Sequence, residues 1–208
     1  MLNSNYRPLC QVQLPFQGRR HYMHAFDLSE PVMRAGFEDY LDPVRKLCTA
    51  AGALTGIAYM TVDERIVKQG QSQRRPKPHV DGVFMSELGS WGHDDKGKGG
   101  RWNHYCNDIG VGAPRRMAVI VAASAPGCRA WRGEFDGEPA DDGDLSHLSL
   151  GEGEVLPANV GYLLSPDCIH ESMVMQAATQ RTFLRIALPV DFSFERQHLS
   201  KYSRKQQE

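Results

Sequence analysis

The spacing of hydrophobic positions along the chain changes near residue 55. Before it, Val32, Phe37, Leu41, Val44 and Leu47 or Cys48 recur at roughly helical intervals. Ser29 is placed to cap such a helix, with Pro31 just inside its first turn. Pro43 predicts a split into two helices and Gly52 predicts a stop. Ahead of them, Gln11 to Phe16 (QVQLPF) alternates apolar and polar residues and predicts a short edge strand. After residue 55 the pattern is that of strands. TGIAYMTVDERIVKQGQ, MAVIVAAS (117–124), CRAWRGEF (128–135), NVGYLL (159–164) and RTFLRIAL (181–188) are short runs rich in Val, Ile, Leu or aromatic residues, parted by Gly, Pro and Asp turns. Helices first and strands afterwards predict a mainly β (α+β) fold, a sandwich or barrel of jelly-roll type with a helical layer packed outside it.

The chain of 208 residues suits a single domain over 1–208. Within it, 1–54 forms the strand and helical layer, 55–192 the jelly-roll core, and 193–208 a polar tail. Residues 86–114 hold seven glycines among aromatic and charged residues. A loop of that length is a lid or binding loop, or else has no fixed structure. The acidic stretch 136–147 reads as solvated surface, and no internal repeat is present.

Composition adds mainly exclusions. A net charge of −1 gives no general attraction to nucleic acid or membrane. No run approaches the roughly 18 apolar residues of a membrane helix, and the N-terminus lacks the basic start and apolar run of a signal peptide. Cys10, Cys48, Cys106, Cys128 and Cys168 are scattered, odd in number and without a C-x-x-C pair. They indicate neither a disulfide framework nor a structural zinc site, and reduced thiols in a cytoplasmic protein are the simplest account.

The chemistry gathers around RRPKPHVDGVF. On an extended strand His79 and Asp81 point the same way while Val80 points the opposite way. An imidazole and a carboxylate side by side are two of the three ligands of the facial triad that holds non-haem Fe(II). The plain alternative is a surface pair beside a turn. Of eight histidines, His170 best supplies a third ligand, since it follows an apolar strand and a Ser-Pro-Asp turn. Its alternative is a buried histidine hydrogen-bonded to backbone. Arg181 lies eleven residues after His170, and Arg185 four further on. Residues 181, 183 and 185 of a strand share a face, so both guanidinium groups can point inward. An inward arginine among Phe, Leu and Ile is costly unless it meets an anion, and its fork suits a carboxylate. On an edge strand the same arginines would face solvent.

In order and spacing, His79-Val80-Asp81, His170 and Arg181 resemble the Fe(II)/2-oxoglutarate-dependent dioxygenases, over roughly residues 55–190. The pair Arg181 and Arg185 looks like that of taurine-dioxygenase-type members. The resemblance implies a double-stranded β-helix, the cupin-like jelly roll, with Fe(II) on His79, Asp81 and His170. It implies 2-oxoglutarate as cosubstrate, its distal carboxylate on Arg181, with Arg185 assisting it or binding an anionic substrate group. Tyr59 and Ser124 are candidates for further hydrogen bonds to the cosubstrate. The implied reaction consumes O₂, releases succinate and CO₂, and hydroxylates a C–H bond of the substrate.

His93-Asp94-Asp95 is a rival pair, but no strand-like sequence surrounds it. Trp91, Trp102, His104 and Tyr105 suit a lid over substrate better. Basic residues flank the site: Arg74, Arg75 and Lys77, then Lys96, Lys98 and Arg101, then Arg115 and Arg116. They suit an anionic substrate, nucleic acid included, or a solvated charge-balanced surface. Two other classes stay open. A non-catalytic cupin-like metal-binding module would share the triad without needing Arg181. A nucleic-acid-binding barrel would show salt-dependent binding and no metal requirement.

Overall fold

The computed structural model describes residues 1–81, 117–140, 143–189 and 191–195. The chain runs β1 (Leu2–Ser4), β2 (Tyr6–Gln11), β3 (Arg20–Asp27), a 3₁₀ turn at Glu38–Tyr40, and α1 (Leu41–Ala51). It continues with β4 (Ile57–Val67), β5 (Val119–Ala123), β6 (Cys128–Ala130), β7 (Gly133–Phe135) and β8 (Glu154–Leu156). It closes with β9 (Val160–Leu164), β10 (His170–Ser172) and β11 (Thr179–Ala187). Strands β2-β9-β5-β11-β4-β3 form a large sheet, β10-β6-β8 a small one and β1-β7 a pair. All pairings are antiparallel. The protein is thus mainly β, and the arrangement is consistent with a β-sandwich. Among the described residues no helix is long and apolar enough to cross a membrane.

Strand β11 shows why the large sheet has two different faces. Leu184, Ile186 and the following Leu188 point to one side and pack with Val44, Leu47 and Cys48 of α1. Phe183 and Ala187 point to the other and pack with Ala130 and Leu156 of the small sheet and with Cys168. Both faces are therefore buried, which is why RTFLRIAL carries apolar residues on both sides of the strand. Val44 and Leu47 are fully buried, and each such side chain contributes about 1.5–3 kcal/mol by leaving water. Gly161 of β9 lets the helix settle onto the sheet, because a Cβ there would lie 2.0 Å from Leu47 Cδ2.

Several local expectations are corrected. One helix forms, not two, and it starts at Leu41, so Pro43 sits in its first turn, where a missing N–H costs nothing. Gly52 does end it, at φ 71°. Ser29 caps no helix; its N–H and hydroxyl both donate to Asp27 Oδ1. The N-terminal strand is Tyr6–Gln11 rather than 11–16. Residues 128–135 divide into β6 and β7, and β7 turns away to pair with β1. In 136–147, Leu145 is fully buried against Val80, Trp131 and Ile169 instead of lying on a solvated surface.

Candidate metal centre

His79 and His170 meet as a bridged antiparallel pair at the edge of the small sheet. The N–H of His79 donates to His170 O and the N–H of His170 to His79 O, both at 3.0 Å. Directly opposed residues project to the same face, so the two imidazoles lie together, ring centroids 4.5 Å apart. Lys77, at a left-handed φ of 71°, precedes the pair. Its carbonyl lies 2.8 Å from His79 Nδ1, and the Cys168 carbonyl lies 3.0 Å from His170 Nδ1. A carbonyl can only accept, so each Nδ1 carries a hydrogen and Nε2 is the ring nitrogen left for the site.

Asp81 completes the group. Ligand atoms of His79, Asp81 and His170 all lie within 4.8 Å of one another. Asp81 Oδ1 is 3.9 Å from His170 Nε2, while Oδ2 accepts from Arg185 Nε at 3.0 Å. Burial and the neighbouring His170 hold the His79 imidazole down to about 3, so it is neutral at ordinary pH. Burial alone would raise the Asp81 carboxyl, but Arg185 and the two imidazoles more than offset it and hold it below the usual carboxylate range. Two imidazoles and one carboxylate are a donor set that suits Fe(II) and leaves further coordination positions open. Cys168 lies nearby, with its thiol pushed up to about 12 by burial, and is not one of the three grouped ligand residues.

No protein-family model, curated protein or solved structure matches the chain. The geometry of the side chains therefore carries the functional argument alone.

Both arginines of β11 share the inner face with Phe183, but their surroundings differ. Arg185 sits against Asp81 and the thioether of Met23, whose Sδ is 3.8 Å from Nη1. Arg181 is fully buried. It donates from Nε to Ala125 O at 3.0 Å, from Nη2 to Cys128 Sγ at 3.2 Å, and from Nη1 to Gln73 Oε1. Among the described residues no carboxylate pairs with it. Tyr59 is on β4 opposite Ala187, half-buried, with its hydroxyl raised by burial. Ser124 is already engaged: its Oγ accepts the Thr182 N–H at 2.9 Å, closing the end of the β5–β11 ladder. Trp91, Trp102, His104, Tyr105 and the rival His93-Asp94-Asp95 fall outside the described residues, as do the basic positions between 96 and 116 and the loop 86–114.

The sequence did not point to Gln73, which is buried and holds Arg181 through Oε1 and the Asp63 carbonyl through Nε2 at 2.6 Å. It lies in an irregular segment, where no periodicity marks a side chain as inward. The carbonyls of Lys77 and Cys168 carry no sequence signal either, beyond each standing two residues before a histidine.

Proposed function

We propose that the protein is an Fe(II)- and 2-oxoglutarate-dependent dioxygenase that hydroxylates a C–H bond of its substrate. The observation that carries this reading is the convergence of two Nδ1-anchored imidazoles and a carboxylate beside a strand that buries Arg181 with no carboxylate partner among the described residues. A sealed guanidinium with only neutral partners favours an anion. The carboxylate end of a keto acid meets that demand. Gln73 would yield its hydrogen bond to it, and Nη1 and Nη2 would provide the parallel donors that a carboxylate prefers.

The order of strands favours a double-stranded β-helix. From β4 the chain alternates between large sheet (β4), small-sheet edge (His79), large sheet (β5) and small sheet (β6, β8), then returns through β9, β10 and β11. In this reading, Fe(II) held by His79, Asp81 and His170 supplies the redox chemistry with O₂ and 2-oxoglutarate. The chain's own residues orient and shield. Lys77 O and Cys168 O fix the imidazole tautomers, Arg185 aims the Asp81 carboxylate, and the apolar cluster around Phe183 and Ala187 excludes water from the inner face.

Anaerobic titration with Fe(II) and then 2-oxoglutarate tests the reading through the weak visible charge-transfer band of the chelate. The band should appear with wild type and vanish in His170→Ala. Metal uptake without a band would assign a metal-binding module without this chemistry, and no uptake would leave HVDG as a turn.

A further inference from the structure

A second charged cluster shares the inner face of the large sheet with the triad. Asp63 of β4 stands opposite Phe183 and Arg20, two residues along from the Thr61–Arg185 pair, so about 7 Å from it. Its side chain is fully buried, and three guanidinium groups surround it. Arg65 Nη2 donates to Asp63 Oδ2 at 2.7 Å and to the Gln73 carbonyl, so Arg65 serves to hold the carboxylate. Arg20 Nε is 3.3 Å from Oδ1 and Arg74 Nη1 is 3.7 Å from Oδ2. Neither makes a hydrogen bond there, and Oδ1 is left without a hydrogen-bond partner.

Arg20 and Arg74 flank the ring of Tyr22, their guanidinium carbons 5.6 and 5.2 Å from its centroid. Arg74 also lies 5.7 Å from the Phe183 ring, and its backbone N–H donates to Ser172 Oγ on β10, the strand that begins with His170. Asp63 is the sole carboxylate within ion-pair distance of these three arginines among the described residues. One carboxylate neutralises one of three cations. Among the described residues two positive charges remain, over the ring of Tyr22, with Arg20 half exposed and Arg74 one-third exposed. Cations gathered at this spacing repel one another unless an anion joins them.

We propose that Arg20 and Arg74 receive a doubly charged oxyanion on the substrate, either a phosphate ester or a dicarboxylate end. That the anion belongs to the substrate rests on the dioxygenase reading; the anion site itself does not. Isothermal titration of the metal-free protein in EDTA, with inorganic phosphate and separately with malonate, tests it without iron or cosubstrate. Wild type should bind at least one of the two. Phosphate alone would assign a phosphate ester, and malonate alone a dicarboxylate. Arg20→Gln and Arg74→Gln should each weaken that binding at least tenfold, while Arg45→Gln on the outer helix should leave it unchanged. If Arg74→Gln fails to fold, Arg20→Gln decides alone, since half of that side chain is already in solvent. Absence of binding to wild type, binding unaltered by both substitutions, or binding that needs added Fe(II) would each overturn the proposal. None of these outcomes bears on whether the iron chromophore forms.

Discussion

Replacing Arg181 by Met separates a structural charge from one that serves a cosubstrate. The substitution removes a fully buried guanidinium and roughly keeps its length. It leaves Gln73 Oε1 and Ala125 O without their donors. Each orphaned acceptor costs about 1–3 kcal/mol. Against this, the fold no longer buries a charge lacking a carboxylate, and apolar replacement of buried ionic groups has returned about 1–4 kcal/mol in other proteins. At the middle of these ranges the loss of about 4 kcal/mol outweighs a return of about 2.5, so the unfolding free energy should fall by about 1–2 kcal/mol. Cosubstrate binding has no such compensation. Two charge-assisted hydrogen bonds at about 1.5–3 kcal/mol each would be lost, a factor of about 10² to 10⁴ in the dissociation constant. The assay is the anaerobic titration of iron-loaded protein with 2-oxoglutarate, with urea unfolding of the same sample alongside. Iron uptake should be unchanged. Arg181→Lys, which keeps the charge but not the planar fork, should fall between wild type and Met. A 2-oxoglutarate affinity within about threefold of wild type would refute the argument, and the same loss in Arg185→Met would move the role there.

Asp81→Ala should reduce Fe(II) affinity at least about 100-fold, because a charged ligand disappears and Arg185 takes a cation's place beside the imidazoles; unchanged iron binding would remove Asp81 from the centre. Gly161→Ala should destabilise the fold by about 1–3 kcal/mol through its collision with Leu47, and Leu47→Ala in the same chain should cost less than it does alone, read by urea midpoints. For the metal-free protein, the folded state keeps His79 neutral down to about 3, whereas the unfolded chain takes up that proton near 6.5. The unfolded state thus binds more protons between those values, so stability is full above about pH 6.5 and falls as pH is lowered, by at most about 1.4 kcal/mol per pH unit for this group. His79→Gln should flatten that slope between pH 6.5 and 5, and an unchanged slope would show that His79 is not the group responsible.

The parts of the fold that were legible are those with long, regular side-chain periods. Strands β4, β5, β9 and β11 carry enough Val, Ile and Leu to announce themselves, and Gly52 ends α1 as its left-handed backbone requires. Strand β3 (RHYMHAFD) was missed because its pairing with β4 shifts between His21 and His24, where Met23 takes φ 57°, so its alternation breaks. The strands of the small sheet are three residues each, too short for a period to show. Pro31 and Ser29 looked like a helix start because capping residues also serve turns, and here the Asp27 carboxylate captures Ser29 locally. The triad was legible for a different reason. His79 and Asp81 are near in sequence, and His170 precedes β11 by one turn, so only one long-range pairing had to be guessed.

What alternation could not supply is the direction of the lone pairs, and that direction bears most on what the site is for. Each histidine is pinned by the carbonyl two residues before it, Lys77 for His79 and Cys168 for His170. Two unrelated segments thus use the same local device to turn Nε2 into the shared space, where the Asp81 carboxylate also faces. Three potential ligand groups thus come within 4.8 Å of one another, one of them the His79 imidazole, neutral at ordinary pH. Arg185 holds the Asp81 carboxylate through Oδ2 and leaves Oδ1 toward the imidazoles. Asp81 Oδ1 lies 3.9 Å from His170 Nε2, too far for a direct hydrogen bond. Both rings are anchored to backbone through Nδ1, which leaves their Nε2 atoms and Asp81 Oδ1 as the atoms a shared cation would engage.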